Sequence, residues 1–445
     1  MSNSRVAVNS KLTVVSSRPV SASGKGKAHA LSALDSAMGS HTVHVIYYYK
    51  NEEKWFESFD LLDPLRESLS EVLTLYPTVT GRLGKRGVDG GWEVKCNDAG
   101  VRVIKASVDA TLDQWLKSAS GSEENLLVAW DHMPDDPTTW SPFRIQVNRF
   151  EGGGVAIGIS CSHMVADLTF LASFFKSWTE VHRHLAITHP PFVAPLPNHA
   201  DDDAESLPRH AKTHSPRNMA TATFKFSSSI INRCLSKVHG TCPNATPFDF
   251  LAALFWNRIA RVKPPKNHHQ THCLCICTDF RNLIKASLPI GYFGNALHFS
   301  MLSQKVEDMQ LGGIVSAVHS HLKGLSEEEI WSTNNEGNYY CMYGTELTCV
   351  CMEHLVFEEE NESLLYAAMF GNNEKPIQVS CRVGNVDYGE GLITVMPSEE
   401  GGLSRTVMVM LPEEELAELS KDEAILELEP AMLLAGSVVS GGPLT

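Results

Sequence analysis

A chain of 445 residues, 43% of them hydrophobic and 20% charged, has the length and balance of two globular domains of about 200 residues each. Its formal net charge of −15 argues against a nucleic-acid groove or a strong attraction to anionic lipid, while leaving room for a small basic pocket. The start, MSNSRVAVNSKLTVVSSRPV, lacks the apolar core of a signal peptide, and no run reaches the roughly 18 apolar residues of a membrane span, Ala431 to Val439 coming nearest.

Strand-like pieces SKLTVV and HTVHVIYYY flank a Ser/Gly/Lys-rich connection in the first 50 residues. Leu61 to Leu75 has helical spacing, with Asp63-Pro64 as its start and Tyr76-Pro77 as its stop. A strand, a turn at Asp89-Gly90-Gly91 and a returning strand follow, with Trp92, Val94 and Cys96 alternating on the latter. Residues 110 to 121 read as a short helix and 125 to 143 as irregular. Phe143 to Phe150 and Val155 to Ser160 read as a hairpin through Glu151-Gly152-Gly153-Gly154, the alternation from Val155 to Ile159 predicting a half-buried strand. From Asp167, the residues Phe170, Leu171, Phe174, Phe175 and Trp178 mark one face of a helix ending near His184.

His163 thus stands where a strand hands over to a helix that Asp167 begins, a place from which a histidine can face a cleft. There it could take a proton from a hydroxyl or amine and return it to a leaving group; equally, it could be a junction histidine with no task. Asp167 could orient the base, or it could cap the helix and pair with an arginine. Ser162 is not set in a G-x-S-x-G elbow. Helical spacing makes Phe170, Phe174 and Phe175 core residues rather than the lining of a channel.

Proline, histidine, aspartate and serine dominate from Pro190 to Met219, which reads as an exposed interdomain linker. A strand over Thr221 to Phe226 and a helix over Ser227 to Lys237 open the second half. Thr246-Pro247-Phe248-Asp249 is a helix start, with threonine as cap, proline at the first position and an acid at the third. Leu274 to Phe280 is an apolar strand, Gly291 to Asn295 a tight loop and Val306 to Leu322 a helix. The region Ser332 to Glu346 is weakly patterned. Tyr388 to Met396 and Arg405 to Leu411 pair around an acidic turn, and a last helix spans Glu413 to Ser420. The eleven cysteines have no disulfide-framework spacing. Cys273, Cys275 and Cys277 share one strand face; with His268, His269 and His272 nearby they read as packed thiols, since C-x-C-x-C on a strand does not converge on one ion, and no metal is expected.

His163-Met164-Val165-Ala166-Asp167 resembles the HxxxD motif of the plant acyl-CoA-dependent BAHD acyltransferases. Other pieces follow in that family's order: Leu75-Tyr76-Pro77 with Gly81-Arg82-Leu83, the TPFDFLAALFW helix, Asp279-Phe280-Arg281 and GYFGNALHF from Gly291. The resemblance implies an α/β fold of two similar chloramphenicol-acetyltransferase-like domains with an interface channel. They would be an N-terminal domain over 1–189, a linker over 190–219 and a C-terminal domain over 220–445. It implies His163 as general base, with Asp167 pointing away and paired with Arg281 as structural support. No tightly bound cofactor is implied, acyl-CoA being substrate or ligand.

Two departures stand out. Leu168 replaces the family's usual glycine after the aspartate, where it could crowd the channel or shift the turn. The second signature, DFGWG before Lys-Pro, is best matched by Met369, Phe370, Gly371, Asn372 and Asn373, ahead of Glu374-Lys375-Pro376, with the acid, tryptophan and second glycine gone. A rival placement at Asp387-Tyr388-Gly389-Glu390-Gly391 lies too near the terminal strand. HxxxD kept, DFGWG degenerate and the tail VGNVDYGEGLITVMPSEEGGLSRTVMVMLPEEEL together resemble the eceriferum/Glossy subgroup. That resemblance implies an accessory role in very-long-chain fatty acid elongation for cuticular wax, beyond about C28. The implied partner is a ketoacyl-CoA synthase at the cytosolic side of the endoplasmic reticulum, and His163 would be dispensable. The alternative is an O- or N-acyltransferase that uses His163 as base.

Overall fold

The structure, a computed structural model, describes residues 4–18, 28–57, 63–87, 90–196, 217–263, 271–305, 310–335, 342–343, 346–357, 362–385, 389–434 and 436. Asp89, most of the Pro190 to Met219 segment, His268, His269, Val306, Asp387 and Tyr388 lie outside the described residues.

Two large sheets carry the fold. The first orders its strands Val6–Val14, Val101–Thr111, Phe143–Glu151, Val155–Ser162, Thr42–Tyr49 and Gln378–Gly384. The second orders Leu297–Lys305, Thr271–Asp279, Leu347–Cys351, Leu392–Pro397, Arg405–Pro412, Met219–Phe226 and Ala431–Leu433. Both are mixed. One parallel pair, Val101–Thr111 with Phe143–Glu151, interrupts the antiparallel first sheet, and two parallel pairs flank Leu347–Cys351 in the second. Strand Gln378–Gly384 comes from the C-terminal half of the chain, yet it pairs antiparallel with Thr42–Tyr49 at the edge of the first sheet. The two sheets are therefore laced by the backbone itself.

The strand after the Glu151 to Gly154 turn is buried on both faces, not half-buried as alternation suggests. Val155, Ile157, Ile159 and Cys161 enter the main core. On the other face Ser160 donates to Ala129 O, and Gly158 lies so close to Leu127 O that a Cβ would meet it at 2.4 Å. The irregular 125–143 segment thus seals a face that would otherwise be wet. The helix Leu168–His182 packs Phe170, Phe174 and Phe175 into that core, Phe175 stacking on Tyr47 at 3.9 Å between ring centroids. Leu168 is the first helical residue and takes no left-handed backbone, so the turn does not require glycine there.

In the second half, Thr246 and Asp249 form a reciprocal capping box that starts helix Pro247–Val262. Leu274 and Ile276 face that helix, whereas Cys275 and Cys277 face the opposite way and join the core shared with the first sheet. Continuous apolar packing across the interface holds the halves together.

Several elements depart from expectation. Val101–Thr111 is an eleven-residue strand, and the 110–121 region holds two helices, Leu112–Ser118 and Gly121–Glu124. The helix expected from Val306 is Leu311–Gly324, preceded by strand Leu297–Lys305. Glu327–Asn335 is helical, and Glu413–Leu419 is followed by a further turn of helix, Glu423–Leu426.

The crossover strand is anchored by a buried ion pair. Arg382 meets Glu124 and donates to Gly121 O at 2.8 Å, while Tyr48 donates to Glu124 at 2.6 Å. Removing one partner of such a pair leaves an unpaired buried charge. Arg382→Ala should therefore lower unfolding stability by about 3–5 kcal/mol, measured as the urea midpoint. Replacing both Arg382 and Glu124 with apolar residues should recover part of that loss.

Candidate functional site

The junction between strand Val155–Ser162 and helix Leu168–His182 is a tight turn fixed from three directions. The His163 amide donates to His41 O at 3.0 Å, at the foot of the neighbouring strand. Asn295, in the Gly291 to Asn295 loop, donates from Nδ2 to His163 O at 2.8 Å. Asp35 in turn accepts at Oδ1 from both the amide and Nδ2 of Asn295, each at 2.8 Å. At Oδ2 it accepts from Ser32 as part of a capping box. Burial drives the Asp35 carboxyl above its ordinary pKa, and the bonds from Asn295 and Ser32 oppose that rise.

Asp167 spends both oxygens elsewhere. Oδ1 accepts from the Phe170 amide at 2.9 Å, capping the helix, and from Arg281 Nη2 at 3.0 Å. Oδ2 accepts from the Ala296 amide at 3.0 Å and pairs with Arg281 Nη1 at 2.9 Å. Arg281, 2% exposed, also pairs with Asp279. Burial alone would weaken its charge, but Asp167 and Asp279 more than compensate and hold it firmly protonated. Thr169, the second residue of the helix, donates to Asp279 at 3.0 Å, so the seam runs from one half to the other.

The His163 ring is consequently oriented by a different atom. Nδ1 lies 3.1 Å from Ala166 O. A carbonyl only accepts, so Nδ1 carries the proton and Nε2 presents its lone pair, the tautomer of a general base. Burial holds the ring's pKa below its ordinary value against the opposing pull of Asp167, which keeps it neutral.

Nε2 does not open on a cleft. His163 is 1% exposed, and the Tyr343 hydroxyl donates to Nε2 at 3.2 Å. Tyr343 is 4% exposed and is enclosed by residues from both halves. His41 and Phe299 meet its ring edge-on at 5.2 and 5.1 Å, and the Cys277 thiol lies 4.0 Å from its hydroxyl. With the hydroxyl proton committed to Nε2, the thiol is the donor of that last contact. The Tyr343 backbone is left-handed, with φ of 47°, a conformation that costs a non-glycine residue about 1–3 kcal/mol. The surrounding contacts must hold it there.

The degenerate second motif is not part of this site. Phe370 stacks on Trp55 at 4.3 Å, and Tyr49 donates to Ala368 O at 2.7 Å. Gly371 takes φ of 51° with Glu53 packed where a Cβ would sit, and Asn372 donates its amide to Glu53 at 2.7 Å. Asn373 contacts Arg183, and Glu374 bridges back to Phe370 and accepts from Trp55 at 3.1 Å. Met369 is partly exposed beside Phe370. This knot sits at the Tyr49/Val155 end of the paired strands, whereas His163 follows the Thr42/Ser162 end, about 23 Å away along the strand. Residues 389–391 of the rival placement lead directly into strand Leu392–Pro397.

The structure therefore brings His163, Asp167 and Arg281 together and leaves Met369 to Asn373 apart. It adds His41, Asp35 and Tyr343. Asp35 had a detectable signal in Ser32-x-x-Asp35, a capping-box spacing. Tyr343 had none, lying in a stretch without periodicity. Among the described residues no group of histidine, cysteine and carboxylate side chains is arranged to hold a metal ion, and no helix is long and apolar enough to cross a membrane.

Comparison with known proteins bears on family and fold. The model of a family described as the Transferase family matches residues 4–426. Protein ECERIFERUM 2 of Arabidopsis thaliana is 25% identical, over 91% of this chain and 95% of its own. Among solved structures, vinorine synthase superposes with a TM-score of 0.72 at 20% identity, covering 95% of this chain and 98% of its own. F. sporotrichioides TRI101, complexed with coenzyme A and T-2, gives 0.67 at 15% identity over 92% of this chain and 100% of its own. The fold is thus the mixed α/β fold of these acyltransferases.

Buried neutral histidines give the protein a defined acid sensitivity. Burial lowers the pKa of His44 to about 3 and that of His298 to about 4, and lowers that of His163 as well. In the unfolded chain they titrate near 6.5, so the unfolded state takes up protons first as pH falls. Stability should be full above about pH 6.5 and fall as pH drops towards 5, with a slope of up to about 1.4 kcal/mol per pH unit for each such histidine. His298→Gln should flatten that slope by one proton equivalent, read from unfolding midpoints between pH 7 and 5. Asp167→Asn, which keeps an oxygen for the cap but removes half of the counter-charge on Arg281, should cost about 3 kcal/mol at pH 7.

Proposed function

Given that the chain belongs to the Transferase (BAHD) family, we propose that it acts as an accessory protein of very-long-chain fatty acid elongation for cuticular wax. It would work beside a ketoacyl-CoA synthase to extend acyl chains beyond about C28. The observation that carries this reading is the closure of His163, whose two ring nitrogens are both engaged inside the protein while the ring is 1% exposed. A base that meets no acceptor is suited to holding a shape rather than to turnover.

Two further features support it. The likeness to Protein ECERIFERUM 2 runs over nearly the full length of both chains. The loop from Met369 to Pro376 has exchanged the family's acid for methionine and its tryptophan and second glycine for asparagines, and it is knotted onto Trp55 and Glu53. Acyl-CoA is the ligand class this reading implies, consistent with a protein of the same fold solved with coenzyme A. The condensing enzyme would supply the membrane anchor at the endoplasmic reticulum, this chain docking on its cytosolic side.

A second reading has one observation in its favour. The Nδ1-protonated tautomer of His163 is that of a general base, so an O- or N-acyltransferase remains the competing function. Expression in yeast with and without a plant ketoacyl-CoA synthase separates the two. The accessory reading predicts that chains beyond about C28 accumulate only on co-expression and that His163→Ala leaves their profile unchanged. An acyltransferase would instead lose about 10²- to 10⁴-fold in rate with that substitution.

A further inference from the structure

We propose that Tyr343 is a specificity-determining stopper: its ring and hydroxyl fill the place at His163 Nε2 that an acceptor alcohol would take, leaving a competent general base plugged by the protein's own side chain. The inference rests on the reading that the chain meets acyl-CoA, and it adds which residue silences transfer and what would restore it.

The geometry is that of an acceptor complex. A general base must lie within about 2.6–3.2 Å of the hydroxyl whose proton it takes, and Tyr343 Oη is 3.2 Å from Nε2, on the nitrogen that carries the lone pair. The stopper is built in from both halves of the fold, with His41 and His163 on one side and Cys277 and Phe299 on the other. A left-handed backbone at a tyrosine is a conformation that side chains rarely adopt, and here it delivers the ring into that enclosure. The phenol is itself a poor acceptor. Its ring is caged, and burial together with the neighbouring Cys277 pushes its pKa well above the ordinary value.

Tyr343→Gly removes the ring at a position whose φ glycine adopts freely, so the backbone need not move. The vacated space is polar at Nε2 and large enough for water. Water would then serve as acceptor: its oxygen bonds to the thioester carbonyl carbon while His163 Nε2 takes its proton. The C–S bond breaks, and Nε2 returns that proton to the leaving thiolate. The products are a fatty acid and free CoA thiol.

The test uses the purified full chain with palmitoyl-CoA, free CoA being measured chromatographically and binding by calorimetry. The native chain should bind palmitoyl-CoA without releasing CoA above the protein-free rate. Tyr343→Gly should release it, and adding His163→Ala to that variant should lower the release by about 10²-fold. Should Tyr343→Gly fail to fold, Tyr343→Asn, whose side chain tolerates the left-handed region, takes its place. A folded variant that binds palmitoyl-CoA yet stays silent would overturn the proposal, as would release that survives loss of His163. An acyl mass on Tyr343 of the native chain would overturn it too, because the hydroxyl would then be a substrate. Failure of every form to bind palmitoyl-CoA would sink this proposal together with the acyl-CoA reading beneath it. Silence of a binding variant would remove the stopper alone and leave the elongation assay in yeast to judge the accessory role.

Discussion

A buried guanidinium sets the terms for this structure. Taking Arg281 out of water is costly unless anionic partners surround it, and Asp167 and Asp279 supply them from opposite halves of the fold. Because Asp167 also caps helix Leu168–His182 and accepts from the Ala296 amide, one carboxylate fixes the start of the helix, the loop of the second half and the turn between them. His163 inherits its position from that arrangement. Its ring is aimed by Ala166 O and not by the aspartate four residues on, so the two polar residues of the motif do separate work.

The same economy of partners runs along the rest of the interface. Asp35 holds Asn295, which holds the His163 carbonyl, and Arg382 with Glu124 ties the crossover strand to the first sheet. Both ring nitrogens of the histidine and its carbonyl are engaged from within the protein, and apolar packing closes over them. With Tyr343 in place the acceptor side of His163 is filled.

Much of this was legible in the residues, for physical reasons that differ from case to case. The helix at Asp167 and the capping box at Thr246 declare themselves through local chemistry that tertiary context has no reason to override. The pairing of Asp167 with Arg281 is separated by more than a hundred positions and was accessible only through family resemblance. Val101–Thr111 alternates between core and solvent along much of its length, but charged and small residues interrupt its apolar ones and obscure the strand pattern. Strand Val155–Ser162 looks half-buried because alternation cannot reveal that an irregular segment covers its second face. Gln378–Gly384 pairs across the chain with a strand more than three hundred residues earlier, a partner that no local pattern could name. Tyr343 is the extreme case: its role is a matter of where an unpatterned stretch happens to be held.

The central claim is that His163 is a neutral base whose acceptor side is filled. Nitrogen-15 NMR of the histidine-labelled chain, with the His163 resonances assigned by their loss in His163→Gln, reads that state directly. The account predicts an Nδ1-protonated ring with a hydrogen-bonded Nε2 and a titration displaced below the ordinary histidine value by burial. A ring that titrates near 6.5, with Nε2 exchanging freely with water, would contradict it, because the site would then be open to an acceptor.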